Sequence, residues 1–305
     1  MMMTEPRRFE LLRGTLSRAV PLARYTSWRC GGPAELLYVP ADREDLATFV
    51  RQLAPEEPLT VIGLGSNLLV RDGGVRGAVV VLHAALGTLE LRGGDVYAEA
   101  GVASPKVARF AANHALTGGE FLAGIPGTMG GALAMNAGCY GGETWRHVVR
   151  VEVLARDGRF EIRDREAYSI GYRSVRRADG TPPDGIFTAA WLRFAAGDAE
   201  AARATIRELL RRRIATQPLE LPNAGSVFRN PEGDHAARLI ESCGLKGFAI
   251  GSARVSEKHA NFIVNPGGAA RAADVEALIH HVRDAVRAKT GVELETEVRV
   301  VGDAR

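Results

Sequence analysis

The sequence predicts an α+β protein in two parts of different character, and three observations carry that expectation. Residues 24–196 alternate short apolar runs with Gly, Asp and Asn turn clusters, the pattern of strands and hairpins. From residues 195–198 onward, apolar residues recur at the spacing of amphipathic helices. Within the first region lies LAGIPGTMGGALAMNAGCYGG, residues 122–142, in which seven of the nineteen positions from Gly124 to Gly142 are glycine. The expected plan is a lead-in over 1–23, a first domain over 24–196 with subdomains of about 24–82 and 83–196, and a second domain over 197–305.

The elements follow in order. Residues 9–16 carry a short helical pattern. Residues 34–39 read as a strand bounded by Pro33 and Pro40, and Asp42 caps a helix whose apolar side is Leu46, Phe49, Val50 and Leu53. Residues 59–63 and 78–82 are strands. Residues 88–91 and 96–100 form a hairpin across Gly93-Gly94, and Ser104-Pro105 caps and starts a helix. Residues 149–155 and 160–163 pair across Asp157-Gly158, and 186–194 is a further strand. Asp198 opens a helix to about 215 that buries Ala202, Ile206, Leu209, Leu210 and Ile214. A helix over 234–243 closes at Gly244, one over 273–289 ends at Gly291, and 292–301 alternates as a strand.

Two glycine-bearing stretches point to a ligand. Glycine inside regular structure costs roughly 0.5–1 kcal/mol relative to alanine, so its density over 124–142 must serve something. Without Cβ atoms, backbone N–H groups approach a ligand closely and form an anion-binding concavity. A tightly packed turn or a hinge is the competing explanation. The second stretch, Gly63-Leu64-Gly65-Ser66-Asn67, lacks the third glycine of a Rossmann fingerprint and runs into another apolar strand, so that fold is rejected. Its backbone and hydroxyl donors still suit phosphate oxygens.

Composition narrows the classes. With 305 residues, 46% hydrophobic and 25% charged, the chain can build ordinary globular cores. A net charge of +3 gives no electrostatic case for nucleic acid, and Arg211-Arg212-Arg213 reads as a solvated helix end. Cys30, Cys139 and Cys243 show no CxxC spacing, so neither a disulfide framework nor a metal site is expected. The N-terminus MMMTEPRRFE has no apolar run of signal-peptide length, and no window is long enough to span a membrane. The expectation is a cytoplasmic protein.

Seven motifs, in order, are TSWRCGGPAELLYVP, GLGSNLLVRDGGVRG, FLAGIPGTMGGALAMNAGCYG, SIGYRS, NAGSVFRNP, GLKGFAIGSARVSEKHANFIVN and LETEVRVVG. Together they resemble the UDP-N-acetylenolpyruvoylglucosamine reductase (MurB) family over about residues 25–302. The resemblance implies a two-subdomain FAD-binding module of the vanillyl-alcohol-oxidase type followed by an α+β substrate domain. It implies non-covalent FAD, NADPH as co-substrate, a UDP-sugar substrate, a monomer and a role in peptidoglycan synthesis. It also places the family's catalytic arginine on Arg173, its serine on Ser226 and its glutamate on Glu297. Many members read Gly-Tyr-Arg-Asp-Ser where this chain has Ser174 directly after Arg173. The short polar stretch after Arg173 resembles the shorter-looped branch of the family.

Read through the family, the expected flavin contacts are Gly63, Gly65, Ser66, Asn67 and Leu68, and Gly124, Ile125, Pro126, Gly127, Gly130, Gly131, Asn136, Gly138 and Gly141. Tyr172, Asn230, Lys246 and Arg299 are candidates for the sugar nucleotide. The implied reaction adds hydride to C3 and a proton to C2 of an enolpyruvyl ether. An arginine fork and a protonated glutamate suit the developing negative charge, and a serine suits the proton. Alternation alone cannot choose Glu297 over Glu295. On residue pattern alone, a loop serine, a surface arginine and a solvated glutamate row account for all three. Two other readings are an oxygen-using oxidase on the same module, which would link flavin covalently through His or Cys, and a non-catalytic sugar-nucleotide binder.

Overall fold

The computed structural model describes residues 9–83 and 85–304; the first eight residues of the expected lead-in lie outside the described residues. Two compact units emerge, and both are discontinuous in sequence. One comprises Met1–Arg18, Leu36–Gly63 and Gly77–Arg207; the other comprises Ala19–Glu35, Leu64–Arg76 and Glu208–Arg305. The contiguous plan drawn from composition therefore differs from the compact units, because two early segments pack with the C-terminal third.

The first unit centres on an antiparallel five-stranded sheet in the order Phe160–Asp164, Val148–Leu154, Ile186–Leu192, Asp95–Glu99, Leu89–Arg92. All seven residues of Ile186–Leu192 are buried, as a central strand covered on both faces requires. The Leu89–Arg92 and Asp95–Glu99 hairpin turns through Gly93 (φ 59°) and Gly94 (φ 89°), the primed geometry that matches strand twist. Buried Glu152 is paired with Arg43 at 2.6 Å and accepts from the Thr188 hydroxyl at 2.8 Å, so its charge is compensated. A second sheet has the order Thr15–Pro21, Pro33–Val39, Val75–Val81, Leu59–Ile62, with the last two strands parallel. Helix Arg43–Arg51 is capped by Asp42, which accepts from the Asp45 amide, and buries Leu46, Phe49 and Val50.

The second unit is built around helix Ala272–Thr290, which buries Val275, Leu278, Ile279, Val282 and Val286 and ends on left-handed Gly291. Its core also takes in Trp28, Cys30 and Leu69 from the early segments. Fully buried Trp28 donates from Nε1 to the Ile263 carbonyl at 2.7 Å, and Asn265 Nδ2 donates to the Trp28 carbonyl at 2.8 Å. Strand Arg299–Val301 pairs in parallel with Leu68–Val70.

Four local expectations are corrected. Residues 9–16 are not helical: Phe9 and Leu11 have positive φ, and the chain enters strand Thr15–Pro21. Ser104 is the first helical residue and makes no capping bond. In helix Ala199–Thr216 only Ala202 and Ile206 are buried, and Ile214 is 63% exposed. The C-terminal strand is confined to Arg299–Val301, although burial of Leu294 and Val298 keeps the expected alternation.

Candidate functional site

In the first unit the glycine-rich segment forms a 3-10 turn, Glu120–Gly124, helix Met129–Met135 and a small hairpin of Gly138–Cys139 with Gly142–Glu143. The segment is fastened to residues 100–104. The Met129 and Gly130 amides donate to the Val102 and Ala100 carbonyls, and the Ser104 amide donates to Gly127. Several glycines are explained by this packing. A Cβ on Gly63 would lie 2.3 Å from Thr128 Oγ1, one on Gly124 would lie 2.7 Å from both Cys139 Sγ and the Tyr140 ring, and one on Gly130 would lie 3.0 Å from Ala100 Cβ. Gly131 is different. It is exposed, and a Cβ there meets nothing within 4 Å.

Two buried hydroxyls, Ser104 Oγ and Thr128 Oγ1, have no hydrogen-bond partner among the described residues. Buried polar groups are normally paired, and an unmade bond costs about 1–3 kcal/mol. Unpaired hydroxyls beside a helix with an unexplained exposed glycine fit a bound group rich in hydrogen-bonding atoms, as a flavin dinucleotide is. Neither hydroxyl is among the flavin contacts expected from the sequence, where Ser104 reads as a cap.

Arg173 lies in the same unit, at the two-residue turn between strands Tyr168–Gly171 and Ser174–Arg177. Its φ of 53° is left-handed, a region that costs a non-glycine residue roughly 1–2 kcal/mol. The guanidinium donates from Nη2 to the Gly138 carbonyl at 2.8 Å and from Nη1 to the Asn136 carbonyl at 3.4 Å. Tyr172 beside it is 48% exposed, with the Arg173 guanidinium 5.2 Å from its ring centre. The hairpin is held at its base by Asp184, which bonds both Arg163 and Arg177 at 2.7 Å. Those arginines, Arg163 foremost, pull the Asp184 carboxyl down to about 2. Asn136 is wholly buried, its amide donating to the Gly171 carbonyl and its oxygen accepting from the Trp145 amide.

The remaining candidates fall in the second unit. Ser226 follows left-handed Gly225 (φ 74°) and precedes Val227, whose backbone is fully used: its amide donates to the Asn261 carbonyl and its carbonyl accepts from the Glu297 amide at 2.8 Å. Buried Asn261 tightens the loop further, accepting from the Phe228 amide at 2.9 Å and donating to the Phe228 carbonyl at 2.8 Å. Ser226 and Glu297 are thus one residue apart across a backbone pairing. The same pairing separates the two glutamates: exposed Glu295 reaches half-buried Arg229 at 3.1 Å, whereas Glu297 is half-buried.

Asn67 binds this segment from the other side. Its Nδ2 donates to the Glu297 carbonyl at 3.1 Å, and its carbonyl accepts from the Arg299 amide at 3.0 Å. Gly65 has φ 60°, and a Cβ there would lie 2.0 Å from the Tyr25 carbonyl oxygen. Ser66 and Leu68 flank Asn67, and exposed Arg299 lies level with Leu68. Asn230 is exposed, its Oδ1 accepting from the Ala236 amide, and Lys246 pairs with Glu241 at 2.6 Å. Each unit therefore gathers its own set: Arg173, Tyr172, Gly63 and the glycine bed on one, and the Gly65–Leu68 turn with Ser226, Asn230, Lys246, Glu297 and Arg299 on the other. Among the described residues no group of His, Cys, Asp and Glu is arranged to hold a metal ion, and no helix is long and apolar enough to cross a membrane.

Comparison with known proteins shows the family. Residues 34–162 match the FAD binding domain, and residues 217–301 match the UDP-N-acetylenolpyruvoylglucosamine reductase C-terminal domain. The chain is 55% identical to the UDP-N-acetylenolpyruvoylglucosamine reductase of Thiobacillus denitrificans, covering 96% of this chain and 94% of that one. It is 56% identical to the Methylococcus capsulatus enzyme of the same name, covering 96% and 95%. The crystal structure of the Thermus caldophilus reductase (MurB) superposes with a TM-score of 0.79 at 37% identity, covering 95% of this chain and 99% of that one. With a flavin-binding domain, a matching reductase domain and relatives alike from end to end, the chain belongs to the UDP-N-acetylenolpyruvoylglucosamine reductase family.

Proposed function

We propose that this chain is an FAD-dependent, NADPH-consuming reductase that converts UDP-N-acetylglucosamine-enolpyruvate to UDP-N-acetylmuramate for peptidoglycan synthesis. The observation that carries the reading is the backbone bond between Val227 and Glu297, which sets Ser226 one residue from that pairing inside the segment that matches the reductase domain. Bound FAD would supply the two-electron hydride chemistry that links NADPH to C3 of the enolpyruvyl group.

The chain's own residues supply placement, charge and a proton. Arg173 offers a planar fork to the substrate carboxylate, where negative charge gathers as C3 is reduced. Its held guanidinium needs little reorganisation, which is what makes such donors effective. A protonated Glu297 donates to the same carboxylate, its half-buried position setting it apart from exposed Glu295. Ser226 delivers the proton to C2, where a strongly basic carbon offsets the weak acidity of a hydroxyl.

Gly63, Gly65, Ser66, Asn67 and Leu68 and the bed from Gly124 to Gly141 take the flavin, aided by Ser104 and Thr128; Asn136 serves that bed through its backbone. Tyr172, Asn230, Lys246 and Arg299 take the sugar nucleotide. Apart from Tyr172 and Arg173, residues 24–196 serve the flavin, and 197–305 serve the substrate. The enzyme works as a cytoplasmic monomer, without nucleic-acid or membrane partners. The oxidase alternative is not favoured, because the C-terminal third matches the reductase.

The test mixes the protein with FAD, NADPH and the enolpyruvyl sugar nucleotide and follows the nicotinamide absorbance. Oxidation of NADPH that requires the sugar nucleotide is expected. A protein that stays colourless after addition of FAD overturns the reading.

A further inference from the structure

We propose that Asn136 is the positioning residue for Arg173, setting the direction of the guanidinium through the turn that carries it. This rests on the reading that Arg173 meets the substrate carboxylate. Arg173 occupies a left-handed backbone conformation that the Gly171–Ser174 turn would not adopt unaided at an arginine. Something must hold the turn, and one side chain reaches it directly: Asn136 Nδ2 donates to the Gly171 carbonyl at 3.0 Å. The same residue returns to Arg173 through its main-chain carbonyl, which accepts from Nη1, while Gly138 two residues on accepts from Nη2.

Asn136 is itself fixed to the core. Its Oδ1 accepts from the amide of buried Trp145 at 3.1 Å, and the Trp145 indole donates to the Leu133 carbonyl at 2.8 Å. A continuous hydrogen-bonded chain therefore runs from the core tryptophan through Asn136 to the turn beneath Arg173. The identity of the residue follows from three demands made at once. The site needs a donor toward Gly171, an acceptor toward Trp145, and a backbone at φ 47°, ψ 55°. Aspartate lacks the donor, and serine and glycine lack the reach. Asparagine meets all three demands and tolerates the left-handed region better than most residues. A merely structural role, ending helix Met129–Met135 and satisfying buried groups, predicts lost stability without any link to Arg173.

The experiment uses flavin-loaded protein reduced with dithionite and follows flavin reoxidation on mixing with the enolpyruvyl sugar nucleotide. Arg173→Ala, Asn136→Gly and the double variant are compared with the native chain, each normalised to bound flavin. Arg173→Ala is expected to slow reoxidation about 10²–10³-fold. Asn136→Gly keeps the left-handed backbone and the main-chain oxygen but loses both side-chain bonds, and is expected to slow it about 10–100-fold. In the Arg173→Ala background the same change is expected to alter the rate by less than about twofold, because the group it positions is gone. Should Asn136→Gly fail to load flavin, Asn136→Asp replaces it. Aspartate keeps the acceptor for Trp145 and sets an oxygen against Gly171, so the same pattern is expected. Multiplying effects in the double variant, or a native rate in the single Asn136 variant while Arg173→Ala is slow, overturns the inference. A native rate in Arg173→Ala overturns the reading of Arg173, and this inference with it.

Discussion

Replacing Gly131 with alanine separates folding from ligand binding at a single methyl group. The residue sits in helix Met129–Met135, where alanine is favoured over glycine by about 0.5–1 kcal/mol. A Cβ at this exposed position meets nothing within 4 Å, so no steric term opposes that gain in the flavin-free protein. Glycine there is accordingly a cost unless another group closes on the backbone. If the flavin does so, the added methyl acts as overpacking of about 1–3 kcal/mol, which weakens flavin affinity about 5- to 150-fold. Urea unfolding of flavin-free protein and fluorescence titration with FAD measure the two effects independently. Opposite signs are expected: a firmer apoprotein and a weaker complex. Gly65→Ala is the contrast. Its Cβ would stand 2.0 Å from the Tyr25 carbonyl oxygen at φ 60°, so folding itself should lose about 2 kcal/mol or more. An unchanged FAD affinity in Gly131→Ala would refute the assignment of this helix to the flavin, whatever the apoprotein did.

Ser226→Ala should leave reduction of the flavin by NADPH intact and stall its reoxidation by the sugar nucleotide, read by stopped-flow at the flavin band; reoxidation at the native speed removes Ser226 as the acid. Acid precipitation should release all of the flavin into the supernatant, and colour retained in the pellet would point to the covalent linkage of an oxidase. Asp184 is pulled from an ordinary value of 3.8 to about 2 by Arg163 and Arg177, so the stability it contributes is full above about pH 4 and is lost as pH falls through about 2. Thermal scans should show Asp184→Asn less stable than the native chain at neutral pH, with the difference closing toward pH 2; a constant difference would place its effect elsewhere. Burial, helped by Asp72, pushes the Cys30 thiol up to about 12, so it should resist thiol reagents at mildly alkaline pH until the protein unfolds, while half-buried Cys139 and Cys243 react sooner.

Local chemistry was legible wherever one residue decides one turn. Asp42 caps its helix, Gly291 closes the last one, and Gly93-Gly94 turns its hairpin, each as the sequence implies. What depends on distant partners was not. Glu293, Glu295 and Glu297 look alike in the chain, and contacts to Val227, Asn67 and Arg229 tell the last two apart. Ser104 has the sequence of a cap, yet the helix begins one residue earlier than that role requires, and its hydroxyl is left buried without a partner. Arg173, Ser226 and Glu297 were named by likeness to a family. Physics of the single sequence offered ordinary structural roles for all three. The positive φ of Arg173 is invisible to propensity, because arginine is a poor choice for it and the surrounding bonds impose it.

The bond between Trp28 and Ile263 joins positions 235 residues apart. At a synthesis rate of about 5–20 residues per second, the indole leaves the ribosome some ten to fifty seconds before its acceptor exists. Strand Leu68–Val70 waits almost as long for Arg299–Val301. Throughout that interval the nascent chain carries an unsheathed tryptophan and an open strand edge, the features that recruit holding chaperones and seed aggregates. A fragment begun at residue 208 would inherit the complementary defect, with a vacant socket where the indole belongs. Premature termination or proteolytic trimming near the C-terminus should therefore yield insoluble polypeptide in place of a smaller flavoprotein.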